Sequence, residues 1–329
     1  MNIAEFARSI GVSPTTVSHA INGRGRISPA TRHMVLERMK ELGFTPNLNA
    51  QRLSDGRTYM VALDFAYTRD YLSDIFLVEL TRRVQDFLDS RRYGLLLSGP
   101  GEVLHRWVKT RAVDGVLQVI DGPPDVTLPQ DIARTGTACV VIGHYPIEGI
   151  PRVGSLVIDL RTGAQQVARM LVERGHRRIG FIDQGAADPV LWGFREELER
   201  LGIALPESHI LGIGATPEDG EWALHILLER PDPPTAVFAR TDAIAAGALR
   251  AAQERGVPVP QALSIVGHDD VPLAQWTAPP LTTVRVDCIE IAHRAADTLF
   301  QLLKQPDGPA ATVTVHTRLI ERRTVATIA

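Results

Sequence analysis

The chain has 329 residues, 44% of them hydrophobic and 22% charged, and a formal net charge of -3. This length is too great for one small domain, and the ordinary composition excludes an intrinsically disordered chain. No apolar run approaches the roughly 18 residues of a transmembrane helix. The N-terminal MNIAEFARSIGV also lacks the long apolar stretch of a signal peptide. The sequence therefore predicts a cytoplasmic protein without a membrane partner.

Charge is distributed unevenly along the chain. Residues 1–57 contain eight Lys or Arg against four Asp or Glu, whereas the remaining residues contain 27 against 34. A basic N-terminal segment on an acidic body is suited to contact with phosphate groups. This asymmetry alone does not decide the partner, because many solvated helices carry a few extra arginines.

The N-terminal segment has the pattern of three short helices. Apolar residues at i, i+3, i+4 and i+7 predict a first helix over about 3–10, which Gly11 ends. Ser13 and Pro14 form a helix start signal, and the second helix is expected to run to about residue 22. A second Ser-Pro pair at 28–29 starts the third helix. The expected inner face of that helix consists of Val35, Leu36, Met39 and Leu42.

Small polar side chains are expected along one side of the second helix, opposite the apolar residues Val17, Ala20 and Ile21. At about 100° per residue, this polar side contains Pro14, Thr15, Ser18, His19 and Asn22. Three short helices with a tight glycine turn between the first two match a helix-turn-helix, whose second helix reads base edges in the major groove. The alternative is a three-helix module whose polar face is simply solvated.

The segment from Ile3 to Thr58 is similar to the N-terminal module of the LacI/GalR family, the lactose and galactose repressors. The family pattern contains GVSxxTVSRxLN and LGYxPNxxAxxLxxG, which correspond to GVSPTTVSHAIN and LGFTPNLNAQRLSDG in this chain. The resemblance implies base-reading positions at Pro14, Thr15 and His19. It implies contacts to the DNA backbone or flanking edges from Asn2, Ser13, Thr16, Ser18, Asn22, Arg26 and Thr31. The family usually has arginine in place of His19, so we expect a different preferred half-site.

The stretch TPNLNAQRLSDG corresponds to the hinge helix of the family. Pro46 stops the third helix, and Asn47 can cap a short helix over about 47–54 that is too short to be stable alone. In the family this helix folds only when two copies pair over the operator, and a leucine enters the minor groove and kinks the duplex. The resemblance therefore implies DNA contacts from Asn47, Ala50 and Leu53. A linker with one isolated leucine is the alternative.

Strand-like and helix-like segments alternate from residue 58 onward. The strands are continuous apolar runs, such as YMVALDF, DGVLQVI and RRIGFID, and such runs are typical of parallel sheets covered on both faces. The pattern predicts a doubly wound α/β body, and its length predicts two lobes with a cleft between them.

This body also resembles the effector domain of the same family, which shares the architecture of periplasmic sugar-binding proteins. The resemblance implies a DNA-binding domain at 1–57 and an effector-binding and dimerisation domain at 58–329. The chain is expected to cross between the lobes near Asp159, Asp287 and Arg318. One lobe then contains about 58–158 and 288–317, and the other contains 159–287 and 318–329.

The expected ligand cleft departs from the family pattern. Val190 stands where an arginine commonly grips a sugar, and Thr241 replaces the usual asparagine. We therefore expect a neutral sugar effector. The candidate effector-binding residues are Phe76, Trp192, Thr241, Asp269 and Trp276. A strand-end loop position is the alternative for Asp269, and core packing is the favoured alternative for the two tryptophans.

The sequence contains none of the common catalytic or cofactor signatures. No GxxxxGK[ST] phosphate loop, GxSxG elbow, HExxH or zinc spacing of Cys and His occurs. The run His268-Asp269-Asp270 contains potential metal ligands, but adjacent residues at a strand end are expected to point apart. We therefore expect no cofactor, no metal and no catalytic residue.

Together these features predict a homodimeric transcription regulator, a repressor of a near-palindromic operator. A small molecule bound between the lobes would modulate its affinity for double-stranded DNA. The alternative is an α/β enzyme, or a sugar-binding protein, with an appended DNA-binding head.

Overall fold

The computed structural model describes residues 1–22, 25–44, 56–68, 71–122, 125–183, 188–212, 214–305, 308 and 311–328. The chain divides into two compact units, Met1–Tyr59 and Met60–Ala329. Among the helices of the described residues, none combines the length and the hydropathy that a bilayer-spanning segment needs.

The first unit is helical. Its described helices are α1 (Ile3–Ser9), α2 (Pro14–Asn22) and α3 (Pro29–Glu41). Gly11 has φ +72° between α1 and α2, a conformation that glycine adopts without steric cost. Because the turn is this tight, α1 and α2 pack against each other, and α3 packs on α2.

The core of the first unit is small. Its buried cluster consists of Phe6, Ala7, Val17, Ala20, Val35 and Phe44. The rings of Phe6 and Phe44 stack with their centroids 4.3 Å apart. The expected burial of Leu36 and Leu42 was wrong, since these side chains are 39% and 50% exposed. In the described residues the core covers Val35 and part of Met39, and Leu36 and Leu42 lie at the uncovered edges of the apolar face.

The second unit alternates strands and helices. Its strands are β1 (Met60–Phe65), β2 (Gly94–Ser98), β3 (Gly115–Val119), β4 (Ala138–Gly143), β5 (Val153–Asp159), β6 (Ile179–Asp183), β7 (Ile210–Gly212), β8 (Ala236–Ala239), β9 (Ser264–Asp269), β10 (Thr282–Arg285), β11 (Thr312–His316) and β12 (Arg318–Ile320). Its helices are α4 (Ile75–Ser90), α5 (Val103–Lys109), α6 (Thr127–Arg134), α7 (Leu160–Glu173), α8 (Pro189–Arg200), α9 (Pro217–Leu228), α10 (Asp242–Glu254), α11 (Leu273–Trp276) and α12 (Cys288–Lys304).

The strands form two six-stranded sheets. The order is β11-β5-β4-β3-β1-β2 in the first sheet and β12-β10-β9-β8-β6-β7 in the second. All pairings are parallel except that of β10 with β12. Strands β1, β3 and β4 are almost wholly buried, as continuous apolar runs require. The predicted fold class, a helical head with a two-sheet α/β body, is confirmed.

The chain passes between the two sheets three times. It leaves the first sheet after β5 and returns with α12, which follows β10 but packs against β3, β4, β5 and α4. Strand β11 completes the first sheet, and β12 then joins the second. We call the first sheet with its helices the first lobe, and the second sheet with its helices the second lobe.

Candidate DNA-binding helix and ligand cleft

Helix α2 presents one apolar side and one polar side. Val17 and Ala20 are buried, whereas Pro14 and Thr15 are exposed, and Ser18 and His19 are partly exposed. The helix is anchored by its apolar side, so the polar side remains open to solvent. This geometry is the one that a groove-binding helix requires.

Four of the residues expected to touch DNA also build the ends of helices. Asn2 and Glu5 form a capping box at α1, in which the Glu5 N–H donates to Asn2 Oδ1 over 2.9 Å. Ser13 accepts from the Thr16 N–H at 3.0 Å in front of α2. The Thr31 hydroxyl lies 2.8 Å from the Oγ of Ser28, which caps α3. The N-termini of these helices are therefore preformed.

The ring of His19 lies against the turn after α2. A Cβ added to Gly25, which has φ +76°, would lie 2.2 Å from His19 Nδ1. Gly25 therefore leaves space for the imidazole. Arg26 is exposed next to this turn. The side chain of Asn22 and the predicted hinge residues Asn47, Ala50 and Leu53 lie outside the described residues.

The second candidate site is a cleft between the two lobes of the second unit. Its polar side chains follow the carboxyl ends of parallel strands, which is where open α/β sheets bind ligands. In the first lobe these are Asp74 before α4, Asp121 after β3 and His144 directly after β4. In the second lobe they are Arg240 directly after β8, and His268 and Asp269 at the end of β9.

The cleft contains an inner cavity of about 100 Å³ and a wider opening of about 720 Å³. Residues from both lobes line each of them. Six residues line both, namely Tyr67, Asp74, Phe76, Asp121, Thr241 and Asp269. A ligand in the cleft would therefore touch both lobes at once.

Arg240 places a guanidinium group in this cleft. Its Nε donates to Asp188, and both side chains are nearly buried. Asp188 also caps α8, because its Oδ1 accepts from the Val190 N–H at 2.8 Å. Burial opposes the charge on Arg240, but Asp188 and then Asp269 outweigh it and raise the pKa of the guanidinium. Val190, where the family commonly has arginine, is fully buried.

Asp269 and Asp270 have different environments although they are neighbours. Asp269 has φ +108°, and its Oδ1 lies 3.0 Å from Nδ1 of the buried His268. The expectation that these adjacent side chains point apart was therefore wrong, because it assumed a regular strand. Asp270 turns away from the cleft and accepts from Arg285 at 2.6 Å and Arg322 at 2.5 Å.

Several groups in the cleft have shifted protonation equilibria. Burial raises the pKa of Asp74, and it raises the pKa of Asp269 well above its usual value. Burial likewise lowers the pKa of His268 well below its usual value, so this imidazole is neutral. The hydrogen bond from His144, whose Nε2 lies 3.3 Å from Asp121 Oδ1, lowers the pKa of Asp121.

The structure brings together three of the five candidate effector residues. Phe76, Thr241 and Asp269 line the cleft, and Thr241 also caps α10 by accepting from the Ile244 N–H. Trp276 lines a different cavity of about 310 Å³, which Asp269 also borders. Trp192 lies on α8 and lines neither the inner cavity nor the wider opening of the cleft. Core packing, the favoured alternative for both tryptophans, was wrong, since Trp192 is 43% and Trp276 84% exposed.

Sequence reasoning missed most of the charged residues of the cleft. The overlooked residues are Asp74, Asp121, His144, Asp188, Arg240 and His268. A usable signal was present, because Asp121, His144 and Arg240 each follow a buried apolar strand by one or two residues. That position at the carboxyl end of a parallel strand is itself a prediction of a ligand contact.

One group of side chains in the described residues is spaced closely enough for a metal ion. Ligand atoms of Glu221, His225 and Glu254 lie within 4.8 Å of one another on α9 and α10. Arginine side chains already bind these groups. Arg250 bonds to Glu254 at 3.0 Å, and Arg255 donates to Nδ1 of His225 at 2.6 Å. The group therefore functions as a surface ion-pair network.

Comparisons with known proteins agree with both parts of the chain. Residues 2–47 match the family of bacterial regulatory proteins, lacI family, and residues 168–325 match the periplasmic binding protein-like domain. The HTH-type transcriptional regulator DegA of Bacillus subtilis is 33% identical over 309 residues, covering 89% of this chain and 90% of DegA. The HTH-type transcriptional repressor PurR of Escherichia coli is 30% identical over 334 residues, covering 98% and 96%.

Solved structures show the same architecture. The complex of the transcriptional regulator CelR with cellobiose aligns with a TM-score of 0.71 at 30% identity, covering 98% of this chain and 99% of CelR. The lac repressor dimer bound to operator aligns with a TM-score of 0.79 over 99% of both chains, and its 22% identity supports the fold alone. A helix-turn-helix head on a two-lobed receptor defines a ligand-responsive DNA-binding regulator. The chain belongs to the LacI family of bacterial transcriptional regulators.

Proposed function

We propose that the protein is a repressor that binds a specific operator and changes its operator affinity when a small molecule enters the cleft. The observation that carries this proposal is the open polar side of α2 on a packed three-helix unit. Its relatives are transcriptional regulators. We further propose that it works in the cytoplasm, where the DNA is, and that it catalyses no reaction.

The DNA-binding surface is proposed to consist of α2 and a hinge helix. The proposed DNA-binding domain spans 1–57, and the proposed effector domain spans 58–329. The hinge helix, over about 47–54, would form the end of the DNA-binding domain. Pro14, Thr15 and His19 would read base edges. Phosphates and flanking edges would be contacted by Asn2, Ser13, Thr16, Ser18, Asn22, Arg26 and Thr31. Asn47, Ala50 and Leu53 would act over the operator centre, where Leu53 enters the minor groove.

The functional unit is proposed to be a homodimer. Each chain offers one α2 to one half-site, so a two-fold dimer favours a near-palindromic operator. The lac repressor, which shares this fold, binds its operator as a dimer. The two lobes are proposed to span about 58–158 with 288–317 and about 159–287 with 318–329. Their closure would alter the separation of the two hinge helices.

The effector is proposed to be a sugar or a related metabolite. Phe76, Thr241 and Asp269 are the predicted contacts that line the cleft, and Arg240 supplies guanidinium N–H donors. CelR, with the same architecture, was solved with cellobiose. Trp192 and Trp276 stand apart from this cleft, so they are less suited to the contact role that the sequence suggested.

Selection from random DNA tests the proposed function. The wild-type protein and His19→Arg are incubated separately with a random duplex pool, and the bound DNA is sequenced. We expect a near-palindromic consensus from both proteins, with a different base facing position 19, because arginine binds guanine O6 and N7 with two donors. Recovery of the same base from both would contradict base reading by His19. Turnover of a metabolite by the purified protein would instead favour the enzyme alternative.

The hinge is tested by DNA bending. Leu53→Ala is expected to reduce both the operator bend and the affinity, because the side chain no longer separates the central base pairs. Circular-permutation gel shifts measure the bend angle. An unchanged angle would contradict the minor-groove role of Leu53 and leave the role of α2 unaffected.

A further inference from the structure

The cleft holds an excess of negatively charged groups. Its wider opening is lined by three carboxylates, Asp74, Asp121 and Asp269, and by no Lys, Arg or His among the described residues. The inner cavity adds Arg240 as its one Lys or Arg in the described part of the chain. Asp188 already pairs with that guanidinium. Asp269 and Asp121 also interact with Arg240, so a single guanidinium serves several carboxylates and acidic groups remain in excess in the cleft.

We propose that the effector carries a positively charged nitrogen, an ammonium group, in addition to hydroxyl groups, and that this nitrogen lies among Asp74, Asp121 and Asp269. The inference rests on the proposed function of the cleft as the effector site, and it replaces the neutral sugar expected from the sequence by an amino sugar or a similar amine.

Two buried imidazoles give independent support. Nδ1 of His144 and Nε2 of His268 are buried and have no hydrogen-bond partner among the described residues. The Nε2 of His144 lies towards Asp121, which leaves its Nδ1 for a ligand. Both rings line the inner cavity. A polar nitrogen that is buried without a partner is costly, and a polar group of a ligand would satisfy it.

The inventory of ionisable groups lining both parts of the cleft is dominated by carboxyl groups. A carboxylate accepts only once it is ionised, and a bound cation favours the ionised form of Asp74 and Asp269, whose pKa values burial raises. An ammonium group offers three donors and no acceptor, which matches this inventory better than a hydroxyl does. A carboxylate or phosphate ligand would face three carboxyl groups, and the one Lys or Arg that lines the inner cavity in the described part of the chain already binds Asp188.

The position of the carboxylates connects the ligand to lobe closure. Asp74 and Asp121 belong to the first lobe, whereas Asp269 belongs to the second. Asp74 and Asp269 repel each other, and this repulsion adds to burial in raising the pKa of Asp269. A cation placed between them converts that repulsion into attraction from both sides. Binding would therefore favour the closed arrangement of the lobes. A neutral ligand would favour closure through hydrogen bonds alone.

A matched set of small molecules tests the inference at pH 6.5. The set contains hexoses, their 2-amino and N-acetylamino counterparts, the corresponding sugar acids, and the linear amines putrescine and spermidine. Thermal shift identifies binders, and titration calorimetry in two buffers of different ionisation enthalpy measures affinity and proton release. We expect an amine to bind at least about tenfold more tightly than its neutral N-acetyl counterpart, because hydrogen bonds to charged groups are the stronger class. We also expect protons to be released as the cation lowers the raised pKa of Asp269.

Two variants distinguish the effect of carboxylate charge on ligand binding from the effect of side-chain shape. Asp121→Asn keeps an oxygen acceptor and is expected to weaken amine binding about tenfold or more, with less effect on any neutral sugar. Asp86→Asn removes an exposed carboxylate of α4 outside the cleft and should leave amine affinity unchanged. Equal losses for amine and neutral ligands in Asp121→Asn would overturn the inference.

An extract divided by charge tests the inference without a guessed ligand. Metabolites from a bacterial extract are separated on ion-exchange resins into cationic, neutral and anionic fractions, and each is added to the protein bound to its selected operator. We expect the cationic fraction to change operator affinity. An active neutral or anionic fraction would overturn the charged ligand and leave the proposed function standing. If neither the whole extract nor any compound acts, the proposed effector control fails together with the inference.

Discussion

Arg240 and Asp188 form a nearly buried ion pair in which one carboxylate performs two tasks. Asp188 accepts from the Arg240 guanidinium and, with its other oxygen, from the Val190 N–H at the start of α8. The pair joins the end of β8 to the first turn of α8. The ion pair therefore links the position of Arg240 in the cleft to the N-terminal cap of α8, and it holds Arg240 in place before a ligand binds.

Removal of the arginine from this pair should destabilise the fold. Arg240→Met leaves a nearly buried carboxylate without its cation, and such a loss costs about 3–5 kcal/mol. The double variant Arg240→Met/Asp188→Asn removes the uncompensated charge and keeps a cap acceptor, so it should recover part of the loss. Urea unfolding of the full chain measures both variants and the wild type. Equal stability of Arg240→Met and wild type would contradict the structural role of the pair.

Gly220 on α9 and Gly247 on α10 allow these two helices to pack with their backbones in contact. A Cβ on Gly247 would lie 1.7 Å from the Pro217 carbonyl oxygen. An alanine in a helix is ordinarily favourable by about 1 kcal/mol relative to glycine. Here Gly247→Ala is expected to lower the free energy of unfolding by about 2 kcal/mol.

Gly212→Ala is the matched control for that substitution. Among the described residues, apart from its chain neighbours, no atom lies within 4 Å of the Cβ it would add, so stability should change little. Thermal melts of both variants give the comparison. A Gly247→Ala protein as stable as Gly212→Ala would show that the helix pair can separate at no cost.

Glu197 should make the stability of the second unit depend on acid pH. Hydrogen bonds from Arg200 and then Arg169 lower its pKa from 4.5 to about 2. A lowered carboxyl pKa stabilises the fold above the unfolded value, and this contribution is lost as the pH falls from about 4.5 towards 2. Both arginines are about half exposed to solvent. Solvent screening therefore limits the contribution to about 1 kcal/mol.

The measurement is urea unfolding at several pH values between 3 and 7. Glu197→Gln should be less stable than wild type at pH 7, and the two should converge as the pH approaches 3. A constant difference over this range would show that the ionised form of Glu197 is not the source of its effect.

The exposed side of α2 should contribute to DNA affinity and little to stability. Thr15→Ala removes an exposed hydroxyl, so the melting temperature should stay unchanged. Operator affinity should fall by about 1–3 kcal/mol if the hydroxyl contacts a base. Glu37→Ala on α3, also exposed, is the control for a general change of surface. A loss of the same size in both variants would point away from specific contact by α2.

Sequence pattern was sufficient for the architecture because burial determines it. Continuous apolar strands identified the two parallel sheets, and the Ser-Pro start signals located α2 and α3. Pattern failed where packing is decided by neighbouring elements. Leu36 and Leu42 have helical spacing, but no element of the described residues covers them, and Trp276 is apolar yet 84% exposed.

The cleft was harder to predict because its contacts join residues far apart in the chain. Arg240 is 52 positions from its partner Asp188, and no local motif connects the two. The missing arginine at Val190 led to the expectation of a neutral sugar effector, whereas the fold brings the arginine Arg240 into the cleft from the end of β8. The direction of the Asp269 side chain depends on its backbone φ of +108°. Hydrophobic periodicity in a sequence does not predict a backbone angle of this kind.

The most direct test of the central claim is fluorescence anisotropy of the full chain on its selected operator and on a scrambled duplex, with and without the active metabolite fraction. The account predicts operator binding at least about 10³-fold tighter than scrambled binding at physiological salt, and a shift of operator affinity when the fraction is added. Equal affinity for the two duplexes, unchanged by any fraction, would contradict it.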